Sequence, residues 1–110
     1  MAKYMMLWRG NSAAQWPLDP AAATQLFDKM LAGVDEGLKS GLILELGFFP
    51  DVLSGYAIIS GEAKDVFMTA FADHPWIEHE VHEIIDYERG KGIVRQVMKA
   101  KAEAMAAMKR

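Results

Sequence analysis

The segment Lys3–Arg9, with the sequence KYMMLWR, is apolar on both faces of an extended strand. Tyr4, Met6 and Trp8 point to one side, and the residues between them point to the other. A strand of this kind is typical of the centre of a sheet that is covered above and below. The segment therefore predicts a central strand, and other parts of the protein must supply its two covers.

The patterning after this strand predicts the order β-α-β-β-α-β. Asp19 and Pro20 begin the first helix, because Asp caps helices and Pro is favoured in the first turn. Five residues, 50–54, separate the second and third strands and imply a hairpin. The expected elements are a strand over 3–9, a helix over 19–41, strands over 42–49 and 55–60, a helix over 61–73 and a strand over 77–88.

This order predicts a ferredoxin-like α+β fold in a single domain that spans residues 1–110. Two right-handed crossovers give an antiparallel sheet of order 4-1-3-2, with both helices on one face. The core is expected over residues 3–90. A turn at 89–92 then leads to a C-terminal helix over about 93–109, whose methionines suit packing against a partner.

The sheet face without helices is predicted to carry Met or Trp side chains from the first strand. The simplest cover for such a face is a second copy of the chain, related by a two-fold axis. We therefore expect a homodimer that forms through the open face of the sheet.

Composition excludes several classes of protein. Of 110 residues, 52% are apolar and 25% are charged, which is typical of a folded globule and not of disorder. Cysteine is absent, so disulfides and thiolate sites are excluded. The net charge of −3 argues against a nucleic-acid partner, and no apolar run reaches the ~20 residues that span a membrane. Without a secretory leader pattern, we expect a cytoplasmic protein.

The predicted topology brings most polar and aromatic candidates to one edge of the sheet, where the first strand ends and the third and fourth begin. A cleft between sheet and helices is the usual form of a small-molecule site. An aromatic or carboxylated molecule would suit the tryptophans and arginine near this edge. The candidate ligand-binding residues are Arg9, Asn11, Tyr56, His74, Trp76 and His82.

His79 is the candidate catalytic residue. It shares a strand face with Val81 and Glu83, the more apolar set and therefore the one expected to face the helices. A neutral imidazole in a cleft can act as a general base. The alternative is a structural histidine, partly buried and hydrogen-bonded to a carbonyl or a carboxylate.

The other face of the fourth strand carries Glu78, Glu80 and His82. Glu80 and His82 would suit a shared ion if a third ligand came from elsewhere, yet no recognised metal-binding spacing is present. We expect a charged stripe on an edge strand, with no metal and no cofactor. Arg9 has two interpretations, as an anchor for a substrate carboxylate or as the partner of a glutamate on the neighbouring strand.

Three segments resemble the dimeric α/β-barrel superfamily, and within it small proteins related to YCII and muconolactone isomerase. They are Lys3–Arg9, Ser54–Ser60 and Ile84–Tyr87, and the resemblance covers about residues 3–90. Its members include isomerases, monooxygenases that need no cofactor and haem-handling proteins. The resemblance implies isomerase-like proton transfer or cofactor-free oxygenation and assigns no catalytic residue here. The alternative is a non-catalytic binding or assembly module with a structural His-Glu cluster.

Overall fold

The computed structural model describes residues 2–109, which form one four-stranded antiparallel sheet and three helices. The elements follow the predicted order β-α-β-β-α-β, and a long C-terminal helix follows the last strand. The fold is therefore α+β. The elements are β1 (Lys3–Gly10), α1 (Pro20–Ser40), β2 (Ile43–Phe48), β3 (Ser54–Ser60), α2 (Ala63–Ala72), β4 (Ile77–Ile84) and α3 (Tyr87–Met108).

Capping residues set both ends of α1. The Asp19 carboxylate accepts a hydrogen bond from the Ala22 amide at 3.0 Å, and Pro20 occupies the first turn. At the other end Gly41 has a φ of 85° and its amide donates to the Leu38 carbonyl. Glycine adopts this left-handed conformation without the steric cost of a Cβ, so the helix stops where the sequence predicts.

The sheet has the strand order β2-β3-β1-β4, which reads 4-1-3-2 from the β4 edge. β1 is a central strand and pairs antiparallel with both β3 and β4. Trp8 lies opposite Gly55 on one side and His79 on the other, so these three residues share a face of the sheet. The register therefore places the candidate catalytic histidine beside an aromatic residue of the central strand.

Both outer strands of the sheet are irregular or polar. In the edge strand β2, the register with β3 shifts between Ile43 and Glu45, which interrupts the hydrogen-bonded ladder. β4, at the opposite edge, carries Glu78, Glu80 and Glu83 within eight residues.

The helices α1 and α2 cover the same face of the sheet. Gly37 of α1 approaches β2 so closely that a Cβ there would lie 2.5 Å from Ile43 Cδ1. Ile43 pairs with Ile59, which belongs to the core on this face. The core cluster consists of Met6, Ala57, Ile59 and Val66.

The opposite face of the sheet, called the open face below, is not covered by α1 or α2. Of the Met or Trp side chains expected on it, the open face carries Met5, whereas Trp8 points toward the helices with the core residue Met6. The homodimer expected through this face stays a prediction. By register, the apolar residues of the open face are Met5, Leu7, Tyr56, Ile58 and Ile84, and its charged or titratable residues are Lys3, Arg9, Glu45, Glu78, Glu80 and His82.

The C-terminal segment differs from the sequence prediction. β4 ends at Ile84 instead of continuing to residue 88, and α3 begins at Tyr87 instead of near residue 93. The reason is Asp86, whose carboxylate accepts a hydrogen bond from the Arg89 amide at 2.8 Å and caps the helix. The predicted turn at 89–92 is therefore helical. None of the residues of α3 is buried, and the longest dimension of the described chain is 72 Å.

Candidate functional site

A cleft of about 700 Å³ lies between the two covering helices and the sheet. Its floor is the helix-covered face of all four strands, and α1 supplies one wall through residues such as Phe27, Met30 and Leu31. Thr69 and Asp73 contribute from the side of α2. A concave, largely apolar space of this volume is the usual form of a site for a small organic molecule.

Four aromatic rings, from two tryptophans and two phenylalanines, contribute to the cleft lining. Trp16 stacks on Phe27 with centroids 5.5 Å apart and planes 10° apart, and Trp8 meets Phe48 edge to face at 5.2 Å. The indole N–H of Trp16 donates to the Asn11 carbonyl at 2.7 Å, and that of Trp8 donates to the carbonyl of the residue after Gly55 at 3.3 Å. Because both donors are used, the two tryptophans present apolar surface to the cleft.

Gly55 makes room for Trp8 on the cleft face. A Cβ at this position would lie 2.5 Å from Trp8 Cζ2 and would also meet the carbonyl oxygen of Gly47 on β2. The absence of a side chain in the middle of the sheet therefore lets the indole lie across β3. The shape of the cleft depends on this position.

His79 lies on β4 and lines the cleft. Burial lowers the pKa of its imidazole below the usual 6.5, because a partly desolvated site disfavours the charged form. Within residues 2–109, no hydrogen bond engages either ring nitrogen. The lowered pKa favours the neutral imidazole at pH 7, and its nitrogens are open to a ligand.

Asp73, at the C-terminal end of α2, is the second titratable group in the cleft. Burial raises the pKa of its carboxyl above the usual 3.8. Its backbone carbonyl accepts hydrogen bonds from the amides of Trp76 and Ile77, which fixes the turn into β4. The cavity is thus lined by His79, whose imidazole favours the neutral form, and by Asp73, whose carboxyl binds its proton more tightly than usual.

Asn11 lines the cleft, but its side chain already has partners. Its amide nitrogen donates to the Pro75 carbonyl at 2.9 Å, and its amide oxygen accepts from the Ala13 amide at 3.0 Å. Its backbone amide also donates to the Trp76 carbonyl at 2.8 Å. Asn11 therefore ties the loop after β1 to the segment before β4.

Arg9 and His74 line a second, smaller pocket of about 470 Å³, which also includes Asn11 and His79. The Arg9 side chain forms an ion pair with Glu78, with 2.7 Å between Nε and Oε2. Of the two interpretations of Arg9, the structure contains the ion pair. The arginine lines the smaller pocket and not the large cleft.

Tyr56 and His82 lie on the open face, so they are separated from the cleft by the sheet itself. His82 Nε2 is 3.1 Å from Glu80 Oε2, and hydrogen bonding to Glu45 raises the pKa of the Tyr56 phenol. Glu80 and His82 have no third metal ligand beside them, since residues 2–109 contain no group of three or more His, Asp or Glu residues suited to a metal ion.

Trp76 lies behind the cleft. It packs against Trp16 at a centroid distance of 5.3 Å, and it lines neither of the two pockets. Of the seven candidate residues, the structure therefore brings His79 and Asn11 to the large cleft, with Trp76 supporting one of its walls.

Sequence reasoning missed Asp73 and the residues of α1 that line the cleft. The helical spacing of Phe27, Met30 and Leu31 shows which face of α1 turns inward, but it cannot show that a space remains in front of that face. Asp73 carries no sequence signal of its own, since an acidic residue after a helix is ordinary.

The lowered pKa of His79 predicts a loss of stability in mild acid. Well above pH 6.5 the imidazole is neutral in the folded and unfolded chains and contributes nothing. Below pH 6.5 the unfolded chain takes up the proton first, so the free energy of unfolding falls until the pH passes the lower folded value. We expect His79→Gln to reduce the difference in melting temperature between pH 7.5 and pH 5.5.

The exposed His82→Gln variant is the control and should keep the wild-type fall. Asp73 acts in the opposite direction as the pH falls toward 3.8, because its raised pKa means that the folded carboxyl binds a proton more readily than the unfolded one. An unchanged pH dependence in His79→Gln would contradict the burial of this imidazole.

No helix among residues 2–109 is both long enough and apolar enough to cross a bilayer. Comparison with models of known protein families and with curated proteins finds no significant match to the chain. The function must therefore be argued from the cleft itself.

Proposed function

We propose that the cleft binds a small, flat, uncharged molecule. The observation that carries this proposal is a largely apolar cavity of about 700 Å³ with four aromatic rings and no lysine or arginine in its lining. Burial of apolar surface is the main source of affinity in such a site, with a few polar groups to orient the ligand. Here Asp73 and His79 are those groups.

The charge of the lining disfavours the carboxylated ligand that the sequence suggested. A carboxylate in the cleft would meet the Asp73 carboxyl without a neighbouring cation, since the guanidinium of Arg9 pairs with Glu78. Burying an unpaired charge costs several kcal/mol in general. A neutral ring with a hydroxyl or carbonyl group fits the site better.

His79 suggests that binding serves isomerase-like proton transfer. Its lowered pKa favours the neutral imidazole at pH 7, which suits a base that removes a proton next to a carbonyl group. Asp73 can supply a proton to the carbonyl oxygen when its own carboxyl is protonated. Cofactor-free oxygenation is the other reaction that the superfamily resemblance implies, and no feature of the cleft favours it specifically.

Filling the cleft tests the binding proposal. Ala23 lies in the lining on α1, whereas Ala21 lies two residues away and is exposed. We expect Ala23→Trp to weaken the binding of 1-naphthol, a neutral flat probe, by at least ~10-fold, because the indole occupies the space of the ligand. Equilibrium dialysis measures the affinity without relying on tryptophan fluorescence.

The matched variant Ala21→Trp should bind 1-naphthol within about threefold of the wild type, and 1-naphthoate should bind the wild type at least ~10-fold more weakly than 1-naphthol. If wild type and Ala23→Trp bind 1-naphthol equally, the cleft is not the site. If the wild type binds neither probe, the small-molecule proposal fails and the non-catalytic assembly module becomes the better description.

We also propose that the chain forms a homodimer through the open face. This face carries apolar side chains, and Met5 in its centre is 37% exposed. The resemblance of β1, β3 and the end of β4 to the dimeric α/β-barrel superfamily supports the same arrangement. In a dimer with a two-fold axis, each copy would cover the open face of the other.

A further inference from the structure

α3 lacks the contacts that normally stabilise a helix. Its 22 residues extend about 33 Å at 1.5 Å per residue, and none of them is buried. Val94, Met98 and Met105 lie along one side at spacings of four and seven residues, with exposed fractions of 60%, 60% and 62%. Most helices in proteins depend on the packing of such an apolar side, so α3 requires a surface to cover it.

The charge of the chain is divided between the C-terminal segment 87–110, of which α3 itself carries five basic and two acidic residues, and the rest of the protein. Residues 87–110 contain seven basic and two acidic residues, a net charge of +5, whereas residues 1–86 contain five basic and thirteen acidic residues, a net charge of −8. The net charge of −3 therefore hides two parts of opposite sign. Charge complementarity of this size favours contact between α3 and an acidic surface of this same chain.

The open face has the width to receive α3 and is weakly acidic, since its three glutamates exceed Lys3 and Arg9 by one charge. Its centre is apolar, with Leu7 on β1 and Ile58 on β3, and carboxylates lie to either side, Glu45 on β2 and Glu80 on β4. Four strands at about 4.8 Å spacing place these two flanks roughly 14 Å apart, and a helix with its side chains is about 10–12 Å wide. An apolar helix side would lie on the centre, with Arg95 and Lys99 on one side of that apolar stripe and Lys101 on the other, at 100° per residue.

The carboxylates differ in how far they are already paired. Glu78 pairs with Arg9 and Glu80 lies beside His82, whereas Glu45 has no cationic side chain within 4 Å among residues 2–109. A basic residue of a docked helix would give Glu45 its first such partner.

From these observations we infer that α3 of each copy lies across the open face of a second copy, so that the dimer is held by two exchanged helices. This inference rests on the homodimer proposed above and names what occupies its interface; it does not depend on the ligand of the cleft. The exchange is reciprocal, as a two-fold axis requires. It also couples helix content to association, since α3 gains its packing only in the dimer.

Reversing two charges of α3 tests the inference. We expect Arg95→Glu combined with Lys99→Glu to raise the dimer dissociation constant at least ~10-fold in 50 mM salt, measured by sedimentation velocity, and to lower the far-ultraviolet helix signal at the same protein concentration. The control is Lys29→Glu combined with Lys39→Glu, which makes the same change of net charge at exposed positions of α1. The control should associate within about threefold of the wild type.

A second pair of changes makes the test specific. Adding Glu45→Lys and Glu80→Lys to the α3 reversal should restore the dissociation constant to within about threefold of the wild-type value. The charges on α3 and on the open face are then both reversed, so the two surfaces attract each other again. If the α3 reversal dimerises as tightly as the wild type, the exchanged helices are disproved and a sheet-to-sheet homodimer stands. A wild type that is monomeric at all concentrations overturns both, and α3-dependent binding of anionic phospholipid vesicles by that monomer would assign the helix to a membrane surface.

Discussion

Replacing His79 with glutamine is expected to slow the exchange of the acidic C1 hydrogens of 2-tetralone by about 10²-fold or more, the usual contribution of a general base. In this neutral, flat ketone, the imidazole removes a proton from carbon to leave an enolate, and a deuteron from D₂O returns to the same carbon. Proton NMR in D₂O measures the rate. The side chain of glutamine keeps a polar group in the cleft but cannot accept the proton.

The pH dependence of this exchange provides an independent check. Because burial lowers the pKa of His79, the wild-type rate should stay near its maximum as the pH falls through 6.5 and should decline only in more acidic solution. His82→Gln, on the open face, should retain the wild-type rate and profile. Equal rates for His79→Gln and wild type would remove proton transfer from the proposal, while binding of 1-naphthol would still identify the cleft as a ligand site.

Ile59→Ala is expected to reduce the free energy of unfolding by about 2–5 kcal/mol. Ile59 has 0% of its surface exposed and belongs to the core cluster between the sheet and α2. Removing three carbon atoms there leaves a cavity that the surrounding strands cannot fully close. Urea denaturation at a protein concentration below that at which the chain associates measures the loss.

The adjacent Ile58 is a matched control of the same residue type. It points to the open face, so Ile58→Ala should cost less than half as much free energy of unfolding as Ile59→Ala. Its main effect should be on association, because it lies at the centre of the surface proposed to receive α3. Equal losses at the two positions would contradict the assignment of faces in β3.

The helix and strand order was predictable because local signals agree with tertiary packing. Asp19, Pro20 and Gly41 specify the ends of α1 through hydrogen bonding and backbone conformation, which act within a few residues. The alternation in β4 also predicted that His79 would face the helices, because a strand side chain has only two directions available.

The end of β4 was predicted wrongly because two local signals competed. Glycines at positions 90 and 92 suggested a turn, and glycine does weaken a helix by about 1 kcal/mol relative to alanine. The cap formed by Asp86 starts the helix before them, and both glycines are accommodated. A helix start depends on its capping residue, so Asp86 was the stronger signal.

The membership of the cleft was only partly predictable. The strand order brings Arg9, Tyr56 and His79 near one edge of the sheet, but Arg9 and Tyr56 point away from the face on which His79 lies. A list of residues at an edge does not separate the two faces. The cleft volume in front of α1 also depends on the distance between this helix and the sheet. That distance is set by the packing of the entire domain and cannot be inferred from the spacing of the apolar residues in α1.

The irregular ladder of β2 limits how these molecules can polymerise. A straight, unbroken outer strand would offer its amides and carbonyls to the next molecule, and growth could continue into a fibril. The register shift at Ile43 and Glu45 interrupts the regular row of amides and carbonyls at the β2 edge. At the β4 edge, three glutamates disfavour pairing with a strand of another molecule. Stacking by the margins is therefore disfavoured at high concentration, and the chain should resist forming amyloid-like aggregates.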